Sequence, residues 1–285
     1  MFSVQKGYDI PYMNAKRQEV IRSSEVFFAE NPVFSLYQFA ASLQLTQRQA
    51  QERTKHHLKK GRLRPLEKGL YAVVPVTTRG SRFHVDRFLV AAAARPDALF
   101  SHHYAMELLG AVHSDWNVTT VFTARRRRTL ALSRLEIRFL SHPTVLVRKS
   151  LEKLATRRVE RLGRLLRVTS PERTLVEGFR QPSLVGGLSE LVDSASGFGV
   201  LDLELLDQVL LAYAQRSLWA SVGWFLERFR ETFFVPAHYL TQLEERKPRS
   251  PQYLPRALDS GSYVSRWNLV LPKNVVGERE PNELE

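Results

Sequence analysis

Gln47 and Gln51 stand one helical turn apart with Arg48 beside them, and Lys55 and Lys59 continue the same spacing. A glutamine amide pairs bidentately with adenine in the major groove, and an arginine guanidinium pairs with guanine. Lysines later on such a face suit phosphates, which position a protein without reading sequence. This chemistry is recognition of duplex DNA, not bond making.

The elements around these residues place them. Residues 15–30 put Val20, Ile21, Phe27 and Phe28 at helical spacing, and Asn31-Pro32 ends that helix. Ser35 is a fitting N-cap for a second helix with Leu36, Phe39, Ala40 and Leu43 as its apolar stripe. Thr46 caps a third helix running to about Lys60, where Gly61 stops it. On that helix Ala50, Thr54, His57 and Leu58 share one face, which leaves Gln47, Arg48, Gln51, Glu52, Lys55 and Lys59 on the other. Arg62–Leu66 and Leu70–Val74 read as two strands joined by Glu67-Lys68-Gly69. Helix, turn, helix and two-stranded ribbon is the order of a winged helix-turn-helix, in which the first turns of the last helix meet base edges. The expected DNA contacts are Ser35, Thr46, Gln47, Arg48, Gln51, Lys55 and Lys59, with Arg62, Arg64 and Lys68 added by the ribbon.

Charge agrees with this assignment. The 285 residues carry 42 Lys+Arg against 29 Asp+Glu, a net +13, and such a field attracts polyanions. Residues 1–80 hold 13 basic and 6 acidic residues, and residues 123–173 hold 15 and 4. The densest run, Arg125, Arg126, Arg127 and Arg128, is expected to add a second phosphate-binding surface or a docking point for an acidic partner.

Catalytic patterns are missing from the sequence. With no cysteine there is no disulfide, zinc thiolate or thiol nucleophile. The eight histidines form no HExxH, and no GxxxxGK[ST], GxGxxG or GxSxG run occurs. Asp86, Glu107, Asp115 and Glu136 are the carboxylates near expected strands, and they lack the spacing of the common metal nucleases. The chain is therefore expected to be no enzyme and to need no cofactor or metal. A DNA-binding nuclease, a stand-alone transcriptional regulator without a toxin and a protein-binding adaptor are the alternatives. No apolar run reaches the roughly 18–20 residues of a membrane span, and the N-terminus does not read as a signal peptide. A cytoplasmic protein is expected.

Beyond the ribbon the pattern is mixed. Asp86–Ala94, Ser101–Leu109, Leu203–Gln215 and Leu218–Thr232 read as helices, and a helix opens at Ser170-Pro171-Glu172. Asn117–Thr123 and Leu135–Leu140 read as strands, while Leu162–Thr169 fits either state. The expected class is α+β: a winged helix-turn-helix over 1–78 with a loose arm at 1–14, a larger mixed α/β domain over 83–272 ending in helices, and an acidic tail over 273–285.

Several stretches resemble the AbiEi family of antitoxins. They are Phe34–Ala40, Leu58–Leu63 and Lys68–Pro75, then Leu99–Ala105 with Leu108-Leu109-Gly110, then Val121–Arg126, Val168–Glu177 and Ser265–Leu269. The resemblance spans roughly residues 30–270 and rests on their order along one chain. It implies an antitoxin of a type IV toxin–antitoxin system whose functional partner is a nucleotidyltransferase-like toxin, not necessarily touched directly. It further implies a winged helix that represses its own operon at inverted repeats, and a C-terminal domain that aids repression and neutralises the toxin.

Overall fold

The computed structural model describes residues 24–75, 83–112, 114, 116, 118–125, 128–132, 135–255 and 260–276. The fold is α+β, and the chain divides into two units, Met1–Pro96 with Leu162–Arg164 and Asp97–Arg161 with Leu165–Glu285. The expected arm at 1–14 and the first half of the expected helix at 15–30 lie outside the described residues.

In the first unit, α1 (24–30) leads into β1 (Val33–Ser35), α2 (Leu36–Ser42) and α3 (Gln47–Lys59). The ribbon β2 (Leu63–Glu67) and β3 (Leu70–Val73) follows, and then α4 (Arg87–Ala94). β3 lies between β1 and β2, antiparallel to both. β1 is a strand that the sequence pattern did not disclose, because three residues are too few to display alternation. Four phenylalanines gather beneath the helices, with Phe27 5.1 Å from Phe34 and Phe28 stacked 5.7 Å from Phe39. α4 packs on β1 and buries Phe88, Leu89 and Val90. The first unit thus runs past the expected junction at 78–83.

The second unit is built on a six-stranded mixed sheet of order β6-β7-β5-β4-β9-β8. Its strands are β4 (Leu99–Phe100), β5 (Val118–Thr123), β6 (Leu130–Leu132), β7 (Leu135–Ser141), β8 (Thr156–Arg161) and β9 (Arg164–Thr169). The ambiguous stretch before Thr169 is therefore strand. The helices are α5 (His102–Leu108), α6 (Thr144–Arg148), α7 (Pro171–Arg180), α8 (Leu188–Ser196), α9 (Leu203–Tyr213), α10 (Arg216–Arg228) and α11 (Ala237–Glu245). A small sheet, β10 (Gln252–Tyr253), β11 (Ser262–Val264) and β12 (Leu269–Leu271), precedes α12 (Lys273–Val276). Within the tail expected over 273–285, α12 is helical, packs on α8 and buries Val275. Residues 277–285 lie outside the described residues.

α7 is the centre of this unit, with every residue from Pro171 to Phe179 buried. Ser170 caps it by accepting from the Arg173 amide, and Pro171 suits the first turn. Its apolar side meets the large core through Leu175, Val176 and Phe179. Its polar side carries charges out of water. Glu177 accepts from the Tyr213 hydroxyl and lies 3.5 Å from Arg173 Nε and 4.0 Å from His102 Nε2. Arg173 donates to the carbonyls of Glu152 and Leu154, both at 2.8 Å, and Ser101 Oγ bonds His102 Nδ1 at 2.8 Å. Burial pushes the Glu177 carboxyl up and the Tyr213 phenol up. It holds His102 down to about 3, helped by the charges of Arg180 and Arg173.

Two measurements test this core. A Cβ on Gly223 would come within 2.1 Å of the wholly buried Trp267 ring. Gly223→Ala should therefore destabilise the protein by about 1–3 kcal/mol through overpacking, read from the denaturant midpoint. Trp267→Phe in the same chain should recover part of that loss. The second test follows from His102. The unfolded chain takes up a proton near pH 6.5 that the folded chain refuses until about 3. The His102 contribution to stability then falls as the pH drops below about 6.5, by up to about 1.4 kcal/mol per pH unit, and the raised Glu177 carboxyl opposes it at the acidic end. The slope should be shallower in His102→Gln, and equal slopes would remove His102 from the account.

Candidate nucleic-acid interface

α3 has two faces of opposite character. Ala50, Thr54 and His57 are buried, with Thr54 Oγ1 donating to the Ala50 carbonyl at 2.7 Å and the His57 ring 4.8 Å from Phe28. Burial holds His57 below the usual imidazole range, so the ring is neutral near pH 7 and packs as an aromatic. Gln47, Arg48, Gln51, Glu52, Lys55 and Lys59 are all exposed. The helix starts at a capping box: Thr46 Oγ1 accepts from the Gln49 amide at 3.3 Å, and Gln49 Oε1 accepts from the Thr46 amide at 2.9 Å. It stops at Gly61, whose φ of +66° turns the chain into β2.

A groove of about 950 Å³ runs along this face inside the first unit. Gln47, Gln51 and Lys55 of α3 form one wall, Ser35 and Tyr37 at the start of α2 another, and Lys68 of the β2–β3 turn closes it. The turn is tied to α2 by the Leu36 amide donating to the Gly69 carbonyl at 2.8 Å. Five of the expected contacts therefore come together from three separate elements. Arg48 and Lys59 are exposed but outside the groove walls. Leu36, Ala40, Leu45 and Leu58 also line this concavity, and the amide and ammonium groups around it can donate to and accept from a polyanion and its base edges.

The remaining assignments divide. Ser35 and Thr46 use their hydroxyls as helix caps, Ser35 accepting from the Gln38 amide at 3.1 Å. Arg62 is half-buried and ion-paired with Glu25 of α1, a contact that ties the ribbon to the helices. Arg64 is exposed and donates to the Phe83 carbonyl at 3.2 Å. Lys55 pairs with Glu52 at 2.9 Å, both well exposed. Arg125 and Arg128 are exposed in the second unit, and Arg126 and Arg127 lie outside the described residues. Tyr37 was missed by sequence reasoning. It is 82% exposed and lines the groove, and the available signal was an aromatic residue lying off the apolar stripe of α2.

The carboxylates weighed for a nuclease are scattered. Asp86 caps α4, accepting from the Phe88 and Leu89 amides, and Glu136 pairs with Arg138. Glu107 lies on α5, and Asp115 is outside the described residues. Among the described residues, no group of three or more His, Asp or Glu is placed to hold a metal ion. Nor is any described helix long and apolar enough to cross a membrane.

No protein-family model and no curated protein sequence matches this chain. Among solved structures it is similar to the crystal structure of RV2827C protein from Mycobacterium tuberculosis. The identity is 16% and the TM-score 0.57, over 90% of this chain and 92% of that one. A likeness at that identity speaks for the α+β fold and for nothing finer.

Proposed function

We propose that the first unit is a winged helix-turn-helix that binds duplex DNA, with α3 as its recognition helix, and that the protein is a transcriptional repressor. One observation carries this reading. The polar face of α3 is exposed along its whole length while its inner face is locked, and Ser35, Tyr37 and Lys68 join it around one groove. Gln47, Arg48 and Gln51 meet base edges; Lys55, Lys59 and Lys68 meet phosphates. The strongly basic balance of the chain supports association with a polyanion.

The biological role follows from the sequence resemblance to AbiEi antitoxins. On that reading the protein is a cytoplasmic antitoxin with no enzymatic activity. It represses its own operon at inverted repeats and counteracts a nucleotidyltransferase-like toxin. The second unit, with exposed Arg125 and Arg128, contributes to repression and carries the neutralising activity.

Gel shifts on the promoter of its own gene test the DNA reading. Arg48→Ala and Gln51→Ala should each cost roughly 1–3 kcal/mol on the specific site and relax preference there. Lys68→Ala should weaken all duplexes alike and reduce the slope of log affinity against log salt by about one. Unchanged affinity in all three variants would refute this interface. Co-expression with the neighbouring gene tests the antitoxin role: growth arrest by that gene alone, relieved by this chain, is the expected outcome.

A further inference from the structure

The wall that α2 gives to the groove of the first unit carries no charge. Its seven residues, Leu36–Ser42, include no Lys, Arg, Asp or Glu, although 25% of the chain is charged. Tyr37, Ala40 and Ala41 stand at i, i+3 and i+4, so they share one stripe of the helix. All three line the groove, whose other wall bears Gln47, Gln51 and Lys55. An uncharged, mostly apolar wall thus shares one concavity with a wall of amides.

Tyr37 is the part of this wall that the fold does not use. The core takes Phe39 from α2, wholly buried, whereas Tyr37 is 82% exposed. Among the described residues no hydrogen bond, ring contact or ion pair engages Tyr37. A ring left in water is a source of hydrophobic free energy for whatever covers it. Its position is nonetheless fixed. Ser35 caps α2 by accepting from the Gln38 amide, and the Leu36 amide donates to the Gly69 carbonyl at 2.8 Å.

Duplex DNA limits what can cover such a wall. Phosphates call for cations, and α2 has none. Base edges in the major groove are hydrogen-bonding groups with one exception, the C5-methyl of thymine. On an A·T pair that methyl shares the edge with the adenine N6 and N7 that a glutamine amide reads. An amide wall and an apolar wall together match both ends of that edge. A G·C pair offers the apolar wall no methyl.

We propose that Tyr37, with Ala40 and Ala41 beside it, reads the thymine methyl of an A·T pair whose adenine meets the α3 glutamines. This rests on the DNA reading of α3 and adds a determinant of specificity outside the recognition helix. Fluorescence anisotropy of the full chain on the promoter of its own gene tests it. Two duplexes of one sequence are compared, one with thymine and one with uracil at every thymine position. The exchange removes the methyl and keeps every base-pair hydrogen bond. The unaltered chain should bind the thymine duplex about fourfold tighter for each methyl it covers. Tyr37→Ala should bind that duplex several-fold more weakly and lose most of the preference over uracil, with the thermal midpoint unchanged. Tyr37→Phe keeps the ring without the hydroxyl and should behave like the unaltered chain. Equal binding of the two duplexes by the unaltered chain would overturn the methyl contact and leave the DNA reading standing. So would a full thymine preference in Tyr37→Ala. A loss in Tyr37→Phe as large as in Tyr37→Ala would make the phenol a phosphate ligand and overturn it equally. Binding to no duplex at all would overturn the DNA reading itself, and the methyl contact with it.

Discussion

The inward packing of Ala50, Thr54 and His57 against the phenylalanine cluster fixes what the first unit presents to its surroundings. A helix turns 100° per residue, so three positions held inside determine the direction of every other side chain. Small residues at 50 and 54 let α3 approach the rings closely, and the capping box at Thr46 fixes where the helix begins. Rotation and register are then both settled, and Gln47, Gln51 and Lys55 face the turn that carries Lys68. The groove is a by-product of this packing and needs no separate stabilisation.

The second unit solves a different problem. Its central helix buries Arg173 and Glu177 completely, and charges taken out of water are destabilising unless paired and hydrogen-bonded. Carbonyls of Glu152 and Leu154 answer Arg173, and the Tyr213 hydroxyl answers Glu177. These contacts draw the segment before β8 and the end of α9 onto one helix. Such a network specifies an arrangement more than it stabilises one, because any slip of α7 would leave a charge without a partner.

How much of this was legible in the sequence depended on the distance between partners. α3 could be read because its apolar period, its cap and its terminal glycine lie within sixteen residues of chain. β5, β7 and α7 were legible for similar reasons. β1 was not, since its pairing with β3 is decided by residues 35 or more positions away. The same holds for Arg62, whose partner Glu25 belongs to the first helix. Lys68, Ser35 and Gln51 each appeared as candidates, but their convergence on one groove is a property of the fold.

Trp267 closes the core of the second unit late in the chain. Its ring lies against Gly223, its indole N–H donates to Glu227 at 2.5 Å, and the neighbouring Arg266 reaches Glu244 at 2.9 Å. During synthesis the helices from 203 to 245 therefore leave the ribosome with an unfilled slot, while most contacts of the first unit involve residues already made. Domains fold as units, from the N-terminal end first, as they emerge. A nascent chain arrested before residue 267 would carry a finished first unit and a second one still open to chaperones and proteases.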